Sequence, residues 1–264
     1  YAVANCDPRG VGNSEGNVSN FGPQDGRDGA DFIEWVAKQD WCTGKVGTFG
    51  NSGVGMVQWK IAQEQPEHLA CIAVWEGTGD IYRESFMVGG IPNPEFNDGI
   101  VKTVASENYI EDGCNMLILH PYMDDYWESK IPQWKQIKVP AYVCGGWCHI
   151  HLRGSLEGFR RIRSRKKWLR IHRDMEWPDT YHPDNLEELR RFFDRYLKNV
   201  RNGWEFTPKV RYDLMDAYDY DFAHYKVEKE FPVERTEYKK LYLNSADGSM
   251  CDEPVNDLSE IEYD

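Results

Sequence analysis

The sequence predicts an α/β fold in which a parallel sheet is interrupted by an inserted helical cap and followed by β-rich chain. Three observations predict it. Short apolar runs of strand length alternate with segments whose apolar residues recur at helical spacing. One strand-to-helix joint is a glycine-rich turn, "TFGNSGVG", centred on Ser52. The alternation lapses between residues 79 and 136 and then resumes. With 264 residues, 41% of them hydrophobic, the chain is long enough for one sizeable domain with something appended.

Taken in order, Tyr1–Cys6 is an apolar run that reads as a strand, and "DPRGVGNSEG" after it is a loop dense in Gly, Pro, Asn and Ser. In that loop Asp7 and Arg9 are placed to bridge one another; the stretch is not GxGxxG and opens no helix, so it does not signal dinucleotide binding. Ala30–Gln39 puts Phe32, Ile33, Val36 and Ala37 on one helical face, and Lys45–Phe49 is a buried strand leading into the Ser52 turn. Val54, Val57, Ile61 and Ala62 then recur at helical spacing as far as Pro66, before the strand Leu69–Trp75. After the interruption come strand Pro140–Gly146, helix Ser155–Ile162, strand Lys167–His172 and helix Asn185–Val200. The last helix shows Leu186, Leu189, Phe193, Tyr196 and Leu197 on one face, with Asp184 as its N-cap. "KKLYLNSADGSM" reads as strand and turn, and no helical pattern follows it. The expected division is a core in two parts, 1–78 and 137–203, a cap at 79–136, and the start of a C-terminal β-rich domain at 204–264. Tyr1 falls inside a strand-like run with no Met before it, so a fragment is expected.

Charge and composition exclude several classes. Thirty-one Lys and Arg against 44 Asp and Glu give a net charge of −13, which repels nucleic acid. No apolar run approaches the roughly 20 residues that cross a bilayer, and the first residues lack the basic and apolar regions of a signal peptide. Seven scattered cysteines suit reduced thiols, so a cytoplasmic location is expected. An aromatic content of 14%, with 10 Trp and 15 Tyr, suits a pocket for a small-molecule substrate. A homo-oligomer is left open, and no cofactor is implied.

Ser52 is the candidate nucleophile. A serine on a tight strand-to-helix turn presents its hydroxyl above the sheet, and the helix N-terminus behind it favours developing negative charge. The GxSxG spacing fails by one residue, because Val54 stands where the second glycine would and Gly55 follows it. The same pattern also suits a Gly-Ser turn that merely starts a helix.

The runs "DPRGVGNSEG", "DFIEWVAKQDWCTGKVGTFGNSGVG", "QPEHLACIAVWEGTGDIYRESFMVGGIP" and "WLRIHRDMEWPDTYHPDNLEELRRFFDRYLKN" resemble the CocE/NonD hydrolases, the family of cocaine esterase and X-prolyl dipeptidyl aminopeptidase. The likeness runs through nearly the whole chain. Its elbow, GxSYxG, is matched by Gly50, Asn51, Ser52 and Gly55, with Gly53 in the tyrosine's place. The resemblance implies an α/β-hydrolase domain, an inserted helical cap and a C-terminal jelly roll. It also implies that preceding strands, an upstream oxyanion tyrosine and most of the jelly roll lie outside this chain. The backbone N–H of Gly53 is the oxyanion donor that remains.

In this fold the triad order is Ser, acid, His. Relatives carry Asp two residues after GGW, where this chain has "GGWCH" and so His149. For the base, His172 is the first choice, with His182 and, further from the expected place, His149 and His151 as alternatives; Met175 or Glu176 also aligns with the family histidine. Glu176 and Asp174 are candidate acids, so the expected constellation is Ser52, His172 and Glu176. Tyr82, Arg83, Trp127, Trp134, Trp147 and His149 are candidates to line the substrate pocket, and cap aromatics equally suit packing on the sheet. "CHIH" puts His149 and His151 on one face if extended, with Cys144 and Cys148 nearby, a donor set that suits zinc. The spacing matches no structural zinc pattern, and no metal is assigned. Cys148 beside His149 as a thiol nucleophile is disfavoured, because sequence neighbours seldom point at each other.

Two functions follow. One is a serine hydrolase acting on an ester, lactone or amide of a hydrophobic small molecule. The other is a non-hydrolytic descendant whose pocket binds, cyclises or rearranges such a molecule. A ligand-free scaffold is the third and weakest option.

Overall fold

The structure, a computed structural model, describes residues 1–104, 106–217, 220–255 and 260. Helix α1 (Pro23–Ala37) begins seven residues earlier than its apolar spacing predicts. Pro23 supplies the preset φ of a first helical residue, and the glycines of the first turns are contact points. A Cβ on Gly26 would lie 2.5 Å from the Lys60 carbonyl oxygen, and one on Gly29 would lie 2.4 Å from Ile61. Both therefore let α1 approach the next helix closely.

Strand β1 (Val46–Asn51) runs into α2 (Gly53–Gln63), and β2 (Leu69–Trp75) follows parallel to β1. The interrupting segment holds a π-helical turn at Tyr82–Phe86 and the short hairpin β3 (Met87–Val88) and β4 (Ile91–Pro92). Helices α3 (Pro94–Val101), α4 (Gly113–Leu119) and α5 (Asp125–Lys130) come next, with a 3₁₀ turn at Trp134–Gln136. The sheet resumes with β5 (Ala141–Gly146), α6 (Leu152–Arg161), β6 (Lys167–His172), α7 (Glu176–Tyr181) and α8 (Pro183–Leu197). The last begins one residue before Asp184, and His182, whose Nδ1 accepts from the Asp184 N–H, is its N-cap.

Strands β7 (Val210–Ala217) and β8 (Tyr220–Glu228) complete a six-stranded sheet of order β1-β2-β5-β6-β7-β8, parallel except for β8. This moves the boundary expected at residue 204: the first compact unit continues to Phe231, because β7 pairs with β6. The second unit, Pro232–Asp264, contains the antiparallel pair β9 (Tyr242–Asn244) and β10 (Ser249–Cys251).

Side chains alternate across the central strands, so each face carries its own core. Ile72, Val74, Val143 and Ile171 pack with Ile33 of α1, Trp59 of α2 and Phe159 of α6. Ala73, Trp75, Tyr142 and Trp168 face the other way, against Leu189 and Phe192 of α8 and Trp204.

Two further readings are corrected. Tyr1–Cys6 is not a strand: its side chains are exposed, and no strand among the described residues pairs with it. Tyr1 packs instead on Phe193 and beneath Lys198. Arg9 pairs with Asp28 of α1, at 2.6 and 2.7 Å, rather than with Asp7; a carboxylate offering both oxygens matches the guanidinium fork. Among the described residues no helix is long and apolar enough to cross a membrane.

The turn between β1 and α2 shows why its glycines stand where they do. Ser52 adopts φ 56° and ψ −123°, its N–H donating to the Trp75 carbonyl at 3.1 Å, so the helix starts hard against β2. A Cβ on Gly55 would sit 2.6 Å from that same carbonyl oxygen, whereas a Cβ on Gly53 would meet only the Phe21 ring, at 3.5 Å. Gly55→Ala is therefore expected to destabilise the protein by about 1–3 kcal/mol through overpacking. Gly53→Ala is expected to be neutral or to gain up to about 1 kcal/mol from helix propensity. Urea unfolding of the two variants checks this; equal losses would contradict the packing account.

Candidate active site

The C-terminal ends of β1, β2, β5 and β6 converge, as the ends of parallel strands do in open α/β sheets, and each delivers polar residues to one place. Two of these residues have left-handed backbones despite carrying side chains, Ser52 at φ 56° and Glu76 at φ 50°. Such conformations cost on the order of 1–3 kcal/mol each and persist where the surroundings fix them. Ser52 follows β1 and Glu76 follows β2, so the strain falls just past adjacent strand ends.

Ser52 Oγ lies 3.5 Å from His151 Nε2, the outer limit of a hydrogen bond. His151 Nδ1 lies 2.8 Å from His149 Nδ1, and the two rings stack at 4.7 Å. His149 Nε2 is 3.1 Å from Glu176 Oε2, and His149 Nδ1 is also 3.4 Å from Glu76 Oε2. Glu76 Oε1 is 2.6 Å from His172 Nε2. The result is a chain of side chains from Ser52 through two imidazoles to two carboxylates. A short turn makes it: residues 147–151 are not extended, and they fold both rings back over β5 before α6 begins. Gly146 permits this packing, because a Cβ there would press to 3.1 Å on both Glu76 and His172.

The electrostatics divide the two histidines. Burial first, and then the neighbouring His149, push the His151 imidazole down to about 4, so it is neutral near pH 7. His149 is shifted upward, chiefly by its contact with Glu76 and against its own burial. Burial alone would raise the Glu76 carboxyl, but His149 and His172 outweigh it and hold it below the usual range. Burial raises Glu176, only partly offset by His149.

His172, the expected base, does not reach Ser52. It is 1% exposed, its Nδ1 faces the Asp174 carbonyl oxygen at 3.1 Å, and its Nε2 faces Glu76. Both ring nitrogens are therefore turned to groups other than Ser52. The constellation Ser52, His172 and Glu176 is thus corrected: Ser52 and Glu176 are linked through His151 and His149. Asp174 and Met175 are exposed, and His182 caps α8.

The pocket candidates divide too. Trp127 is 1% exposed and packs with Phe86, Tyr82 and Tyr126, and Trp134 is buried against Trp59, so both fill cores. The Tyr82 hydroxyl donates to the Pro121 carbonyl, Arg83 pairs with Asp80, and Trp147 donates to the Asp213 carbonyl while packing on Tyr212. Of "CHIH" and its neighbours, Cys144 lies in the opposite core and Cys148 is exposed, while His149 and His151 gather with Glu76. Sequence reasoning ranked His151 low and missed Glu76. The signal for Glu76 was a carboxylate ending an otherwise apolar strand, "LACIAVWEG".

Residues 1–112 match the family model of the X-Pro dipeptidyl-peptidase (S15) family. The chain is 24% identical to the cocaine esterase of Rhodococcus sp. (strain MB1 Bresler), over 93% of this chain and 52% of that protein. Its fold superposes on the crystal structure of a CocE/NonD family hydrolase from Staphylococcus aureus with a TM-score of 0.87 and 36% identity, covering 93% of this chain and 45% of that one. An α-amino acid ester hydrolase structure shares the fold at a TM-score of 0.62 and 18% identity, over 96% of this chain and 52% of that one. The chain thus spans about half the length of these relatives.

What holds Glu176 in place is a buried ion pair one helical turn away. Asp179 meets Arg170 of β6 through both oxygens, accepts from Trp75 Nε1 at 2.9 Å and from Asn185 Nδ2 at 3.1 Å, and all but fixes α7 to the sheet. Removing one partner of a buried pair costs about 3–5 kcal/mol, because the other charge is stranded. Asp179→Ala is expected to lose that much stability in denaturant unfolding, since Arg170 is 3% exposed. A loss under about 1 kcal/mol, the level of an exposed pair, would contradict the clamp.

Proposed function

Because this chain belongs to the CocE/NonD family and carries its α/β-hydrolase fold, we propose that it is a serine hydrolase cleaving an ester, lactone or amide bond of a hydrophobic small molecule. The observation that carries this reading is the strained Ser52, whose hydroxyl meets a neutral, buried imidazole nitrogen at 3.5 Å. Ser52 Oγ attacks the carbonyl carbon and gives its proton to His151 Nε2. For that nitrogen to hold a lone pair, His151 carries its proton on Nδ1 and donates it to His149 Nδ1, and His149 donates from Nε2 toward Glu176. Glu176 thereby takes the orienting role of a triad acid, two rings away from the serine. The 3.5 Å contact shortens to about 3 Å when substrate closes the site.

The negative oxygen that forms faces the N-terminus of α2, where the Gly53 N–H donates. The proton held on His151 passes to the leaving oxygen or nitrogen, leaving an acyl group on Ser52. Water then enters, gives a proton to the same nitrogen as its oxygen attacks the acyl carbon, and the acid leaves as His151 returns that proton to Ser52 Oγ. The names of the relatives, a cocaine esterase and an X-Pro dipeptidyl-peptidase family, support acyl transfer as the reaction class. Tyr82, Arg83, Trp147 and His149 remain the side chains proposed to meet substrate.

A fluorophosphonate probe is expected to label Ser52, and Ser52→Ala is expected to abolish the labelling. His151→Ala is expected to lower kcat/KM for a simple aryl ester by about 10⁴- to 10⁶-fold. Labelling that persists in Ser52→Ala, or ester turnover unchanged by it, would overturn the reading and favour a pocket that binds or rearranges its ligand without the serine.

A further inference from the structure

We propose that Glu76, His149 and His151 form a binding site for a divalent transition metal of the zinc type, and that filling it switches the serine off. One ligand atom from each residue lies within 4.8 Å of the other two. The two Nδ1 atoms are 2.8 Å apart, and His149 Nδ1 is 3.4 Å from Glu76 Oε2. Zinc holds such ligands at about 2.0–2.2 Å in a tetrahedron, which places neighbouring ligand atoms about 3.3 Å apart. The three donors need only small movements to meet one ion.

An independent observation points to a cation at this place. Glu76 is fully buried; its Oε1 is held by His172 Nε2 at 2.6 Å, whereas its Oε2, 3.4 Å from His149 Nδ1, receives no hydrogen bond. That open oxygen beside two imidazoles leaves the carboxylate half-satisfied, and a metal ion completes it. The outer contacts also suit one: with His149 bound through Nδ1, its Nε2 lies 3.1 Å from Glu176 Oε2, the spacing from which the carboxylate-histidine-metal arrangement that fixes a ligand ring can form. An imidazole pair with one carboxylate suits zinc or cobalt better than calcium or magnesium, which take oxygen ligands.

The consequence for Ser52 follows from tautomers, and it rests on the hydrolase reading above. A neutral imidazole bound to metal through Nδ1 carries its proton on Nε2. The His151 nitrogen facing Ser52 is then a donor with no lone pair, so it cannot take the hydroxyl proton. Metal binding and the base function of His151 exclude each other.

The test adds Co²⁺ to the chelator-treated, full-length protein. The visible absorption of a low-coordinate nitrogen and oxygen site is expected to saturate at one equivalent, to vanish when Zn²⁺ displaces Co²⁺, and to be lost in His149→Ala and in Glu76→Gln. Circular dichroism identifies any variant that has not folded. With one equivalent of Zn²⁺, fluorophosphonate labelling of Ser52 is expected to fall at least tenfold and to return on chelation. No saturable cobalt spectrum, a spectrum retained in folded His149→Ala, or an intense thiolate band showing that Cys148 is the ligand would overturn the site. A saturated site with labelling unchanged would overturn the switch. Absence of labelling in the metal-free protein would count against the hydrolase reading instead, while the cobalt spectrum still reports the site.

Discussion

The arrangement depends on a carboxylate that has no access to water. Glu76 is 0% exposed, and a lone ionised group there would cost far more than a domain's whole stability margin. No Lys or Arg reaches it among the described residues; two imidazoles do, His172 from the end of β6 and His149 from the loop after β5. Its charge therefore holds the His172 ring at 2.6 Å from the end of β6, with the His149 ring at 3.4 Å from the loop after β5. His149 stacks on His151 and sets the ring that faces Ser52. The left-handed backbones at Ser52 and Glu76 are the local cost of bringing both side chains to one point.

This explains how a histidine can stand after β5 in place of the aspartate that the family resemblance leads one to expect there. A triad asks for a nucleophile, a base within reach and an acid behind the base, and does not fix which strand supplies which. The four parallel strand ends lie side by side, so carboxylate and imidazole can exchange places between the loops after β5 and β6. Here the loop after β5 supplies imidazoles and α7, after β6, supplies the carboxylate of Glu176. Arg170 and Asp179 anchor the helix that carries Glu176, which ties the geometry of the proposed site to the packing of α7 and α8.

Much of the fold was legible. Leu69–Trp75 and Lys167–His172 stand as strands with the bounds that their apolar runs predict, because strands buried on both faces need little but hydrophobicity. The serine turn was legible as well, since Gly50 answers to a contact with Val54 four residues on, although the close contact of Gly55 is with the Trp75 carbonyl of the next strand. Less could be read where the outcome depends on distant partners. The apolar run Tyr1–Cys6 has no strand beside it among the described residues, and the first turns of α1 carry glycines fitted to α2 rather than apolar residues at helical spacing. The choice between His172 and His151 turned on which ring nitrogen meets which partner, and that depends on Glu76, about 75 residues from His151 in the chain but in contact with its neighbour. Hydrophobic spacing carries no information of that kind.

The central claim is that the free lone pair facing Ser52 belongs to His151 Nε2. Long-range ¹⁵N–¹H correlation spectra of histidine-labelled, metal-free protein, assigned with single His variants, measure this directly. The account predicts an unprotonated Nε2 and a protonated Nδ1 on His151. A protonated Nε2 on His151 would contradict it.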